Sequence, residues 1–210
     1  MGMNFTQLLN KKSKRPCVII GAGSSVKKYH AKIKAFIQQQ NAFTIGINNV
    51  NHMFTPDYHL WTNTGRYNEF GKSINKRSTL ILGSRMKPEA RDQYGYQYFL
   101  LNYTDSVKEE IGFDGEMIRG FYRTAANLSI MVAKLLGSNL ISIVGMDGYT
   151  LNWGKDQHCY GKGHTDSDDY EYCQRKDDLI YMCLKDIARK IDFKIITPTV
   201  YDNFYKGGIL

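Results

Sequence analysis

Short uncharged apolar runs recur along the chain, and stretches of helical periodicity separate them. Val18-Ile19-Ile20 lies in a run over 17–20 behind Pro16 and shows no polar alternation. That pattern predicts a strand buried on both faces. Similar runs predict strands over 42–47, 58–62, 78–82, 140–144 and 193–196, and a strand or extended aromatic segment over 94–101. Val26, Tyr29, Ile33, Phe36 and Ile37 recur at helical spacing with lysines opposite, which predicts one helix over 26–40. An Ala-, Leu- and Ile-rich stretch predicts a helix over 124–136 closed by Gly137, and a long helix is predicted over 170–191. Residues 104–120 are polar and Gly-punctuated and receive no element. Residues 151–169 read as a polar loop long enough to be functional.

Strands alternating with helices imply an α/β fold: a single doubly wound, mostly parallel sheet of Rossmann-like type with helices on both faces. The predicted organisation is a basic N-terminal arm (1–15), one nucleotide-binding domain (16–205) and a tail (206–210). Such sheets bind ligands beyond the carboxyl ends of their strands. Polar residues follow the predicted strands there repeatedly: the turn Gly21-Ala22-Gly23-Ser24-Ser25, then Asn48, Asn63, Ser84 and Asp147-Gly148-Tyr149. The two glycines permit a sharp turn, and Ser24 and Ser25 are placed to cap the next helix. Backbone N–H groups at such a turn can converge on a phosphate; a tight βα turn without a ligand is the alternative. Val26 stands where a third glycine of a dinucleotide fingerprint would be, and no Gly-Lys-Ser/Thr follows, so neither a dinucleotide site nor a P-loop is indicated.

Composition narrows the classes. With 42% hydrophobic residues in 210, the chain can bury one sizeable core. No apolar run is long enough to span a bilayer and no signal peptide is recognised, so a cytoplasmic protein is expected. Cys17, Cys159, Cys173 and Cys183 lack metal-type spacing and read as reduced thiols. The net charge of +8 suits nucleotides, anionic sugars or an anionic membrane surface, and peripheral contact with an inner membrane enters the expectations on that ground. No zinc knuckle, basic heptad or RNP-like strand accompanies it, so nucleic acid is not an expected partner. Arg66, Arg85 and Arg123 could clamp a phosphate or carboxylate, although surface positions are preferred for them. His158 and His164 lie in the polar loop near Asp156, Asp166 and Asp168; their irregular spacing assigns no metal. Asp147 could cap its turn, bind a ribose hydroxyl or bind Mg²⁺. A homo-oligomer is expected.

The ordered series Ile19-Ile20-Gly21-Ala22-Gly23-Ser24-Ser25, Asn48, Asn63, Thr124-Ala125-Ala126, Gly137, Gly145-Met146-Asp147-Gly148-Tyr149 and Gly163-His164 resembles the motifs of bacterial sialyltransferases of glycosyltransferase family 42. The resemblance implies a GT-A-like variant of the Rossmann-type sheet and a cytoplasmic enzyme of lipopolysaccharide or capsule biosynthesis. It implies an inverting, metal-independent transfer from a CMP-sugar donor, a sialic-acid-like nonulosonate, to a glycan acceptor hydroxyl, with no separate cofactor. Gly21, Ala22, Gly23, Ser24, Ser25, Asn48 and Asn63 would hold the CMP part. Thr124 and Ala125 would contact the nucleotide or the sugar carboxylate, and Asp147 and Gly148 fall within the nucleotide-binding set. Tyr149 would hydrogen-bond the leaving phosphate, and His164 would be the general base. The chain departs from the family pattern at Ala22, Ser24, Ala125 and Ala126, and Lys155 stands where a second phosphate-binding tyrosine is expected. Pro56-Asp57-Tyr58 and Met146-Asp147-Gly148 also resemble the 6-hydroxymethylpterin diphosphokinase-like family, which implies diphosphate transfer from ATP with Mg²⁺. A non-catalytic nucleotide-binding module in surface-glycan biosynthesis is the third reading.

Overall fold

A computed structural model describes residues 2–161 and 167–209. In chain order the strands are β1 (Met3–Asn4), β2 (Cys17–Ile20), β3 (Phe43–Ile47), β4 (Tyr58–Trp61), β5 (Thr79–Gly83), β6 (Phe99–Leu101), β7 (Gly112–Phe113), β8 (Ile118–Arg119), β9 (Ile141–Val144) and β10 (Phe193–Ile195). The helices are α1 (Ser25–Lys28), α2 (His30–Gln39), α3 (Thr64–Phe70), α4 (Pro88–Asp92), α5 (Ala125–Leu135) and α6 (Tyr170–Ala188). Eight strands form one sheet in the order β1-β6-β5-β4-β3-β2-β9-β10, and every pairing in it is parallel.

Alternate residues of each central strand feed different cores, as the two-residue period of a strand requires. Cys17 and Ile19 pack with α5 and α6 residues such as Leu128, Ile130, Leu184 and Ile187. Val18 and Ile20 pack on the other face with Val26 and Ile33, while Leu80 and Leu82 pack with Tyr67 and Met86. Helices therefore cover both faces, and the α/β architecture is doubly wound. From β2 the chain builds outward through β3, β4, β5 and β6, then returns to place β9 on the opposite side of β2. The direction of winding reverses between β2 and β9, which opens a crevice at their carboxyl ends.

Several elements differ from the sequence-based expectation. The helix over 26–40 is broken at Tyr29, whose φ and ψ of −107° and 18° leave helical geometry. The Asp147 carboxylate anchors the first turn through the Ser25 N–H, whereas α2 is oriented by Ile33 and Phe36 against the sheet. Two strands without an assigned element, β7 and β8, form an antiparallel pair inside 104–120. Helices α3 and α4 are too short to show a periodicity. Residues 2–15 are packed rather than arm-like. Met3 and Asn4 pair with β6, Phe5 and Leu8 are buried, and the N–H groups of Asn10, Lys12 and Lys14 donate to the carbonyls of Leu135, Leu136 and Gly137 at the end of α5. The final residues also pack: the Lys206 N–H donates to the Ile195 carbonyl and Ile209 is buried. All four cysteines are free and buried. Among the described residues, no helix is long and apolar enough to cross a membrane.

Candidate functional site

At the carboxyl end of the sheet lies a cavity of about 330 Å³. Its lining gathers Gly21, Ala22, Gly23, Asn48, Asn63, Thr124, Ala125, Asp147, Gly148 and Tyr149 from separate places in the chain. Arg66, Arg123, Gln157, His158, Lys176 and Tyr201 complete its polar wall. His164 lies outside the described residues. Ser24 and Ser25 do not line the cavity; they stand behind it and hold Asp147.

Asp147 is the bolt of the crevice. Its buried carboxylate accepts the Ser25 N–H at 2.8 Å, the Ser25 hydroxyl, and longer bonds of 3.4 Å from Ser24 Oγ and Asn152 Nδ2. Burial pushes its pKa upward, and the donors from Ser25, Ser24 and Asn152 oppose that shift. The glycines before it serve this contact. A Cβ on Gly23 would stand 2.6 Å from Asp147 Cγ, and one on Gly21 would stand 2.5 Å from the Gly145 carbonyl oxygen. Glycine is required here because two loops touch. At this turn the Gly21 N–H donates to Val144, the Gly23 N–H to Gly145 and the Ser25 N–H to Asp147, so these three are not offered to a phosphate. The turn is committed to joining β2 to β9, and Ser24 makes no side-chain cap to α1.

The other strand ends contribute polar atoms that reach the cavity. Asn48 adopts a left-handed backbone (φ 53°), and its carbonyl takes a 2.6 Å bond from the ring of fully buried His59. A carbonyl can only accept, so His59 Nε2 carries the proton; burial lowers its pKa to about 4. The Asn48 side-chain oxygen is buried and has no partner among the described residues. Asn63 caps α3 by accepting the Arg66 N–H at 3.0 Å, and Thr124 caps α5 by accepting the Asn127 N–H at 3.2 Å. The N-terminal end of α5 therefore lines the cavity at Ala125 and Ala126.

The segment carrying Tyr149 is clamped from α6. Asp177 accepts the N–H groups of Tyr149 and Thr150, the Thr150 hydroxyl at 2.7 Å and the Tyr201 hydroxyl at 2.9 Å. Gln157 Nε2 donates to the Tyr149 carbonyl at 3.0 Å. His158 Nε2 lies 3.1 Å from an Arg66 guanidinium nitrogen. A guanidinium can only donate, so Nε2 accepts and the proton resides on Nδ1. Burial first, then the Arg66 charge, lowers the His158 pKa to about 4, so the ring is neutral at pH 7.

Arg66 is 5% exposed, contrary to the surface position preferred for it. Arg85 and Arg123 are exposed, and Arg85 pairs with Asp105 at 3.4 Å. Lys176 and Asp177 were not anticipated from sequence. Their signal was present: with Cys173, Ile180, Cys183, Leu184 and Ile187 they occupy the buried stripe of α6, where a charged residue needs a reason. Gln157 carried no comparable signal. Asp57, one residue of the diphosphokinase-like resemblance, bolts two strands together by accepting the Thr44 N–H and hydroxyl. Among the described residues, no group of three or more His, Cys, Asp or Glu side chains could hold a metal ion.

No family model matches the chain, and no curated protein matches it. Among solved structures, it is similar to a mammalian sialyltransferase in complex with Gal-beta-1-3GalNAc-ortho-nitrophenol, at 13% identity and a TM-score of 0.46. That match covers 91% of this chain and 73% of the other.

Proposed function

We propose that the chain is a CMP-sugar-dependent glycosyltransferase that moves a sialic-acid-like nonulosonate onto a glycan hydroxyl. The observation behind this reading is the gathering of Asn48, Asn63, Thr124, Ala125 and Asp147-Gly148-Tyr149 around one cavity at the β2/β9 crevice. These positions are also the ones the sialyltransferase-like motif series selects. The cavity's polar wall is rich in cations, with Arg66, Arg123 and Lys176, which suits an anionic donor.

In this reaction the acceptor oxygen bonds to the anomeric carbon of the donor. The bond from that carbon to the phosphate oxygen breaks, and its electron pair leaves with CMP. The acceptor proton passes to His164, a base whose ordinary pKa suits the task at neutral pH. Tyr149 donates its phenol hydrogen to the departing phosphate, whose charge grows from one to two. The Asp177 bonds to the Tyr149 and Thr150 backbone support that placement. His158 is the poorer candidate for the base, because its acceptor nitrogen already receives Arg66 and burial depresses its pKa to about 4.

The test is CMP release from CMP-sialic acid and related CMP-nonulosonates, with and without glycan acceptors and Mg²⁺. The expected result is acceptor-stimulated release that Mg²⁺ does not change. His164→Ala should slow it by about 10²–10⁴-fold and Tyr149→Phe by about 10²-fold or more. Absence of both CMP release and CMP binding would overturn the assignment.

A further inference from the structure

Two buried cations reach the cavity from elements more than a hundred residues apart in the chain. Arg66 comes from the first turn of α3 and is 5% exposed; Lys176 comes from α6 and is 9% exposed. Both line the cavity beside Tyr149 and His158. Aromatic and imidazole rings stand beside both. Arg66 donates to His158 Nε2 at 3.1 Å and its guanidinium carbon lies 5.8 Å from the Tyr160 ring centroid. The His158 ring stacks on Tyr160 with centroids 5.0 Å apart. Lys176 Nζ lies 4.6 Å from the Tyr149 ring centroid and 4.1 Å from that of Tyr172.

We propose that Arg66 and Lys176 form a two-cation clamp for the phosphate of the cavity's ligand. The clamp deepens the nucleotide-sugar reading and rests on it for the identity of the ligand, though not for its chemical class, a phosphate ester. The two cations supply different things. A guanidinium presents a rigid fork that can engage two phosphate oxygens, and an ammonium supplies a compact point charge. Tyr149, whose ring lies under Lys176, lines the same cavity as both cations. The His158 ring is neutral. It accepts from Arg66 without cancelling its charge, and its ring centroid lies 6.5 Å from that of Tyr149, the ring beneath Lys176, so the two cations flank a pair of neighbouring rings. The N–H groups of Gly21 and Gly23, which the β2 turn would otherwise have offered to a phosphate, are spent on the carbonyls of Val144 and Gly145.

The experiment measures binding of CMP, cytidine and inorganic pyrophosphate by calorimetry to the unaltered protein and to Arg66→Gln, Arg66→Lys and Lys176→Met. In the unaltered protein CMP should bind at least about 10-fold more tightly than cytidine. Arg66→Gln and Lys176→Met should each remove most of that preference and leave cytidine affinity unchanged, which also shows that the variants are folded. Arg66→Lys should fall between, and it serves with Lys176→Met if Arg66→Gln does not fold. Variants that keep the full CMP preference would overturn the clamp while leaving the nucleotide reading intact. Pyrophosphate binding that is lost in the variants, with no binding of CMP or cytidine, would support the clamp and overturn the nucleotide reading. No binding of any of the three would overturn both.

Discussion

At the scale of single residues, buried polar groups govern the cavity. Asp147, Asp177 and His59 are each almost wholly out of solvent, and each holds a backbone segment that forms the wall. The two histidines make this testable by pH. His59 and His158 have pKa values of about 4 in the folded chain against an ordinary 6.5, chiefly because burial disfavours the charged ring. The unfolded chain therefore takes up the proton first on acidification. Stability from these rings is complete above pH 6.5 and declines as the pH falls toward 4, by at most about 1.4 kcal/mol per pH unit for His59. Asp147, whose pKa is raised, contributes with the opposite sign, so a variant comparison is needed to isolate the histidines. Urea denaturation from pH 7 to 4 should show a shallower loss of stability for His59→Gln than for the unaltered protein. Equal slopes would contradict the assignment.

At the scale of elements, α5 links the cavity to the far side of the molecule. Its first residues, Ala125 and Ala126, line the cavity, and its last carbonyls are capped by residues 10–14. A helix end leaves its final carbonyls without intrahelical partners. Here Asn10, Lys12 and Lys14 provide three N–H donors, and Gly137 (φ 99°) lets the segment approach, since a Cβ there would meet Ser13 Cα at 2.9 Å. Removing residues 2–14 deletes those donors and the buried Phe5 and Leu8 together. The expected result is a loss of roughly 3 kcal/mol or more in chemical denaturation. An unchanged midpoint would show that the segment is dispensable. The break between α1 and α2 belongs to this scale too, because the apolar spacing runs through Tyr29 without interruption while Asp147 holds the first turn at Ser25.

At the scale of the whole molecule, one sheet carries three apolar clusters among the described residues, and none of these has a sheet of its own. Unfolding should therefore be a single cooperative event. In a Trp153→Phe background the remaining tryptophan, Trp61, fluoresces from the third cluster at one side of the sheet, whereas helical circular dichroism reports mainly on α5 and α6, the longest helices. The two signals should give coincident urea transitions; separated midpoints would mean that the β4–β6 side unfolds on its own.

The amino-acid sequence alone determined the parallel doubly wound sheet, its central strands and the polar residues at their ends. Those features arise from local apolar runs and from a period of two or 3.6, which neighbouring residues carry without help. Asn48, Asn63 and Tyr149 were legible as candidate cavity residues for that reason, whereas Thr124 entered only through the family resemblance. Other assignments depended on distant partners. That Gly23 has no room for a side chain is decided by Asp147, more than a hundred residues away. Whether Arg66 is surface or interior is decided by how α3 packs and by His158. The tertiary structure alone could settle these, because burial and hydrogen-bond partners belong to pairs of residues brought together by the fold.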